Sequence, residues 1–80
     1  MKARVIVTLK NGVLDPQGQA IEGSLAGLGF AGVAGVRQGK VFDLEVSGTD
    51  EEAARSQIKE MCEKLLANTV IENYAIEISP

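Results

Sequence analysis

The stretch ARVIVTLK at residues 3–10 is followed by NGVLDPQG at residues 11–18, and this junction decides the fold. Apolar side chains alternate with polar ones through the first segment, which predicts a half-buried β-strand. The Asn-Gly pair that opens the second segment ends the strand. Asp15 is a helix N-cap, and Pro16 follows in the first turn, where a missing N–H costs nothing. The junction therefore predicts a strand, a short connection and a helix.

The middle of the chain predicts one helix and two strands. Apolar residues continue the first helix at helical spacing, and Gly29 caps its end; these residues are Ala20, Ile21, Leu25 and Leu28. Residues 30–38 then predict a weak strand, whose internal glycines indicate an edge or a bulge. Gly39 lies at a turn, and residues 41–47 alternate as a second strand, with Phe42, Leu44 and Val46 inward.

The last third of the chain predicts a helix and a closing strand. Thr49 and Glu52 form a capping box, and the helix that follows has an apolar stripe of Ala54, Ile58, Met61, Cys62 and Leu65. Asn68 caps its end, and residues 74–78 alternate again. The order β-α-β-β-α-β predicts a single α+β domain over residues 1–80. We expect a two-layer, ferredoxin-like sandwich with an antiparallel four-stranded sheet and both helices on one face.

Composition excludes several classes of chemistry. The 80 residues include no His and one Cys, so a Ser-His-Asp or Cys-His nucleophile, an internal disulfide and a paired-cysteine zinc site are excluded. A net charge of −3 argues against general nucleic-acid binding. No apolar run approaches the ~20 residues that span a bilayer. We expect no catalytic residue, bound cofactor or metal in this chain, no nucleic-acid or membrane partner, and a cytoplasmic location.

The predicted topology gathers distant segments at one edge of the sheet. The end of strand one, the start of helix one, the turn at Gly39 and the exit of helix two all meet there. We define the docking edge as Lys10, Gly12, Val13, Leu14, Asp15, Pro16, Gln17, Gly18, Arg37, Gly39, Lys40, Asn68, Val70 and Glu72. We expect it to contact a protein partner. Solvated strand-end charges and an anion site at the helix N-terminus are the alternatives.

The sheet face without helices is the second candidate surface. Its charged residues, which suit cross-strand pairs in water, are interrupted by Ile6, Val41 and Ala75. This mixture suits a moderately polar contact between copies, although scattered apolar residues also occur on monomers. We therefore expect a homodimer or a higher homo-oligomer that associates through this face.

The sequence resembles a known family from end to end. Six segments resemble PurS, the small subunit of bacterial phosphoribosylformylglycinamidine (FGAM) synthase: GVLDPQG at 12–18, AI at 20–21, LGF at 28–30, VRQGK at 36–40, MCEKLLAN at 61–68 and VIENY at 70–74. The heptapeptide is the most specific of them. Thr69 departs from the pattern, because the family usually has Pro there, and the change concerns only the stiffness of the helix-to-strand turn.

The resemblance implies a non-catalytic subunit of an enzyme complex. That complex converts formylglycinamide ribonucleotide, glutamine and ATP into FGAM, glutamate, ADP and phosphate in de novo purine biosynthesis. One partner is a glutaminase and the other an ATP-dependent synthetase, so ATP, Mg²⁺ and glutamine are used by the partners. The small subunit is expected to bridge the two, to dock the synthetase through the docking edge, and to support ammonia transfer.

Two other interpretations share the predicted fold. An ACT-like regulatory module has the same element order and binds small amino acids at dimer interfaces, and Gly12 lies where its ligand loop would be. An acylphosphatase-like enzyme needs an Arg-bearing anion loop directly after strand one. The segment at residues 10–12, Lys-Asn-Gly, does not provide that loop.

Overall fold

The computed structural model describes residues 1–79. Its elements are β1 (Lys2–Leu9), α1 (Pro16–Gly27), β2 (Lys40–Glu45), α2 (Glu51–Met61) and β3 (Glu72–Ser79). A π-helical turn, Cys62–Leu66, continues α2. The strand order is β2-β1-β3, and β1 pairs antiparallel with both neighbours. The predicted α+β class, with two helices and an antiparallel sheet, is confirmed.

The core lies between α2 and the central strand. Alternate residues of β1, which are Ala3, Val5 and Val7, are at most 6% exposed. Helix α2 and the turn after it bury Ala54, Ile58 and Cys62, one residue in four, against that strand. The two burial periods are those of a strand with one covered face and of a helix with one apolar stripe. The alternating apolar residues of β1 and the apolar stripe of α2 therefore form the core.

The sheet has three strands in the described residues, in place of the four predicted. Residues 30–38 are irregular, because the chain makes no hairpin turn at Gly39. Two-residue hairpin turns need a positive φ, and the positive-φ glycines are Gly12, Gly29, Gly35 and Gly48. Gly39 instead passes close beside β1, where an added Cβ would lie 2.6 Å from the carbonyl oxygen of Val7.

Helix α1 does not pack on the sheet beside α2, so the prediction that both helices cover one face is wrong. Its only buried residue is Gly18, and Ile21 and Leu28 are exposed. The molecule is 49 Å long, whereas an eight-residue strand spans only about 26 Å. Helix α1 therefore projects from the sheet.

The helix starts were predicted with mixed success. At α1 the predicted N-cap, Asp15, is confirmed, with Pro16 as the first helical residue. At α2 the cap is Asp50, whose carboxylate accepts the backbone N–H groups of Glu52 at 3.0 Å and Ala53 at 3.3 Å. The predicted capping box led by Thr49 is wrong by one residue, because Asp caps better than Thr and its charge suits the helix dipole.

Candidate functional site

The docking edge is assembled by the ends of all three strands. The Lys10 backbone N–H donates to the Ile71 carbonyl at 2.9 Å, next to β3. The Arg37 guanidinium donates to the Lys10 carbonyl at 3.2 Å. Lys40, the first residue of β2, has its Nζ 3.8 Å from the carboxylate of Glu72, the first residue of β3. The structure thus brings together the three segments that the sequence assigned to this edge.

Asp15 is the buried anchor of the docking edge, at 5% exposed. One carboxylate oxygen accepts the Gly18 N–H at 2.9 Å, and the other accepts the Gln38 N–H at 2.7 Å. These hydrogen bonds, that from Gln38 foremost, hold the pKa of Asp15 below its ordinary value, so the carboxylate is ionised at neutral pH. The sequence indicated the cap but not the contact with Gln38, which lies 23 residues away.

Glu22 makes a second link between α1 and the segment that returns to β2. Its carboxylate accepts the backbone N–H groups of Gly35 and Val36. Between the two links, Gly18 packs so closely on the Val36 carbonyl that a Cβ would overlap that oxygen. Helix α1 and its return segment are therefore held as one body, which we call the arm (residues 15–38). Nothing in the sequence pattern indicated the role of Glu22.

The exposed part of the docking edge mixes apolar and basic side chains. Leu14 is 65% exposed and Val70 is 80% exposed. Other exposed members of the set are Gly12, Pro16, Gln17, Arg37, Gly39, Lys40 and Asn68, whereas Lys10, Val13 and Glu72 are half-buried. Asp15 and Gly18 are buried, so they hold the edge together and offer little surface to a partner.

Ile6, Val41 and Ala75 form one row across the face of the sheet that the helices leave open. Ile6 lies opposite Val41 in the β1–β2 register and opposite Ala75 in the β1–β3 register. Beside the row, the Arg4 guanidinium is 2.8 Å from the Asp43 carboxylate. The structure therefore brings together the three residues predicted for self-association.

Two ionisable side chains sit where helix α2 passes into its π-helical turn. Cys62 is fully buried, as its place on the apolar stripe predicted, and burial raises the pKa of its thiol, which disfavours the reactive thiolate. The Tyr74 hydroxyl donates to the Glu63 carboxylate at 2.6 Å. That hydrogen bond, aided by burial, raises the pKa of Tyr74 to about 12. The sequence did not predict this pair, because Tyr74 lies in β3 and Glu63 lies in the π-helical turn, whose side-chain spacing differs from that of an α-helix.

The ionisation of Tyr74 gives a direct test of this pair, since the chain has one Tyr and no Trp. We expect tyrosinate absorbance to rise with a midpoint of about pH 12. Because folding raises this pKa, the hydrogen bond stabilises the fold fully below about pH 10, and its contribution is lost as the pH rises through the folded pKa. Glu63→Gln should move the midpoint toward 10, whereas Glu60→Gln should not. A wild-type midpoint near 10 would contradict the contact.

The described residues carry neither a metal cluster nor a membrane-spanning helix. Residues 1–79 contain no cluster of three or more His, Cys, Asp or Glu side chains able to hold a metal ion. Over the same range, neither helix has the length and apolar content needed to cross a membrane.

Comparison with known proteins identifies the family. The sequence profile of PurS, described as phosphoribosylformylglycinamidine (FGAM) synthase, matches residues 2–80. The chain belongs to the PurS family. The FGAM synthase subunit PurS of Synechocystis sp. is 50% identical to this PurS chain over 95% of its length and 76% of the relative's. The resemblance seen in the sequence is confirmed.

Solved PurS structures share the whole shape of this chain. Bacillus subtilis PurS superposes with a TM-score of 0.89 at 46% identity, covering 99% of this chain and 98% of that one. A chain in the structure of PurLQS from Thermotoga maritima gives a TM-score of 0.87 at 36% identity, covering 95% and 93%. With coverage this complete, the projecting arm of this PurS chain belongs to the common fold.

Proposed function

We propose that this subunit of FGAM synthase acts as a non-catalytic bridge between a glutaminase and an ATP-dependent synthetase. The docking edge carries the proposal: three chain segments converge there, and they carry exposed Leu14 and Val70 together with the cations Lys10, Arg37 and Lys40. The partner subunits use glutamine, ATP and Mg²⁺, and the complex converts formylglycinamide ribonucleotide into FGAM. The similarity to a chain in the structure of PurLQS from Thermotoga maritima supports the proposal that this subunit acts within a complex.

Bridging suits the chemistry of ammonia transfer. Ammonia released from glutamine becomes protonated and diffuses away unless the two active sites are joined by a sealed contact. The chain contributes a rigid edge, because Asp15 is fixed by two backbone hydrogen bonds and each strand end is tied to another. A rigid, preorganised surface loses little entropy on binding. The chain therefore supplies position while its partners supply the reacting groups.

We propose that the docking edge contacts an apolar patch on the synthetase, and that acidic side chains of the synthetase surround this patch. Arg37 uses one guanidinium N–H on the Lys10 carbonyl, and a guanidinium has five such donors. Charges at the rim of an interface steer association and select partners, while apolar side chains at its centre supply affinity. Leu14 and Val70 fill the second role.

Reversing two charges tests this proposal. Arg37→Glu with Lys40→Glu should weaken capture of the synthetase by about a hundredfold or more, because like charges would face each other across the interface. The far-ultraviolet circular dichroism should not change. The control is Lys2→Glu with Lys59→Glu, which changes the net charge equally outside the docking edge and should retain the synthetase. Equal capture by both variants would contradict docking at this edge.

We also propose that copies of the chain associate through the row formed by Ile6, Val41 and Ala75. A two-fold axis through the open face would place each row against the same row of a second copy. Val41 is 56% exposed, Ala75 is also exposed, and Ile6 is half-buried between them. The ACT-like alternative receives no support, because the family match extends over residues 2–80.

A further inference from the structure

The turn that leads into β3 is held together by hydrogen bonds to its first residue, and we call it the Val70 turn (residues 68–72). The Asn68 carbonyl accepts the backbone N–H groups of Ile71 at 3.0 Å and Glu72 at 2.7 Å. The Asn68 side-chain oxygen accepts the N–H of Val70 at 3.2 Å. Val70 itself is 80% exposed. The turn therefore presents one apolar side chain to the solvent on a hydrogen-bonded backbone.

Glu72 closes the Val70 turn from the side of the strand. One of its carboxylate oxygens accepts the Asn68 N–H at 2.6 Å, so the first and last residues of the turn are hydrogen-bonded to each other in both directions. The other oxygen lies 3.8 Å from Nζ of Lys40. The Glu72 side chain is only 13% exposed, and a carboxylate that is shielded from water needs such partners. Glu72 therefore offers little surface to another protein.

The ion pair of Glu72 and Lys40 crosses the central strand. Lys40 lies opposite Val7 in the β1–β2 register, and Glu72 lies opposite Leu9 in the β1–β3 register. Val7 is buried, so the alternation of the strands places both charged side chains on the face that α2 covers. Two strand spacings amount to roughly 10 Å. The pair thus ties the Val70 turn to the start of β2 and fixes its place as well as its shape.

We infer that Glu72 is a positioning residue of the docking edge, which holds the Val70 turn in the form that contacts the apolar patch of the synthetase. This inference rests on the proposed docking of that subunit. A turn with a single apolar side chain at its tip binds well only if it is ordered beforehand, because ordering it on contact costs conformational entropy. Glu72 provides that order in the free subunit, while Val70 makes the contact.

The first measurement uses the subunit alone. Glu72→Ala removes the acceptor of the Asn68 N–H, so the backbone amide order parameter of Val70 should fall from about 0.85 toward 0.6. Glu72→Gln keeps an oxygen acceptor and should hold this value above about 0.8. The control is Glu60→Ala, which removes an equal charge and breaks the ion pair with Lys64 outside the docking edge; it should leave Val70 unchanged. An unchanged order parameter in Glu72→Ala would overturn the inference.

The second measurement is capture of the synthetase by the same variants. Glu72→Ala should weaken capture by about tenfold or more, and Glu72→Gln and Glu60→Ala by no more than about threefold. A double-mutant cycle separates positioning from a merely structural role. In a Val70→Ser background, Glu72→Ala should weaken capture by less than about threefold further, because Glu72 acts through Val70. A second full loss in that background would contradict the positioning role.

The Arg37 and Lys40 variants keep this inference distinct from the proposed docking. If they weaken capture and Glu72→Ala does not, the positioning role is wrong while docking at this edge stands. If neither they nor Glu72→Ala change capture, docking at this edge is wrong, and the positioning role is overturned with it.

Discussion

Replacing Ile58 with Ala is expected to lower the free energy of unfolding by about 2–5 kcal/mol. Ile58 is fully buried between α2 and the central strand, so truncation removes apolar contacts and leaves a cavity. A domain of this size buries only about 60% of its unfolded surface, and its total stability is on the order of 5–15 kcal/mol. One core residue thus represents a large share of the total.

Urea unfolding followed by circular dichroism, at one fixed protein concentration, measures this effect. The matched control is Leu65→Ala, which truncates an aliphatic side chain in the π-helical turn that continues α2. Leu65 is 83% exposed, so its truncation should change the free energy of unfolding by no more than about 0.5 kcal/mol. Equal losses in the two variants would mean that the core is not where the structure places it.

Replacing Gly18 with Ala is expected to loosen the arm while leaving the sheet intact. The new Cβ would overlap the Val36 carbonyl oxygen and lie 2.9 Å from an Asp15 carboxylate oxygen. Overpacking of this kind costs about 1–3 kcal/mol. Because the arm opens separately from the core, we expect amide exchange in α1 to accelerate by about tenfold to a hundredfold, with β1 and β3 unaffected.

Gly23→Ala is the matched control within the same helix. An added Cβ at Gly23 meets nothing within 4 Å, and Ala favours a helix over Gly by about 0.5–1 kcal/mol. Exchange in α1 should therefore slow by roughly two- to fivefold. If both substitutions accelerate exchange, close packing at Gly18 is not what holds the arm.

Local signals in the sequence predicted the parts of the fold that depend on neighbouring residues. The alternation of β1 and the N-cap at Asp15 act within a few positions, and both are confirmed. The apolar stripe of the second helix is confirmed as far as Cys62, but its predicted last member, Leu65, is exposed, because the π-helical turn changes the spacing of the residues that face the core. The fourth strand failed because it required a turn at Gly39. An alternating pattern does not determine whether the chain folds back there, since that depends on a backbone angle.

The prediction that distant segments meet at the docking edge is correct, although the predicted fourth strand is absent from the described residues. It required only that β1 end where β2 and β3 begin, and the antiparallel registers satisfy this condition. The arm could not be predicted, because it is held by Asp15 on Gln38 and by Glu22 on Val36. Links between residues 14 to 23 positions apart leave no periodic trace in a single sequence.

The arm is joined to the sheet by two short crossings, at residues 10–14 and 39–40, and all of these residues except Asn11 belong to the docking edge. Lys10 is held by the Arg37 side chain within this junction. A subunit that binds the docking edge therefore also contacts the root of the arm, and its binding would hold the direction in which the arm leaves the sheet.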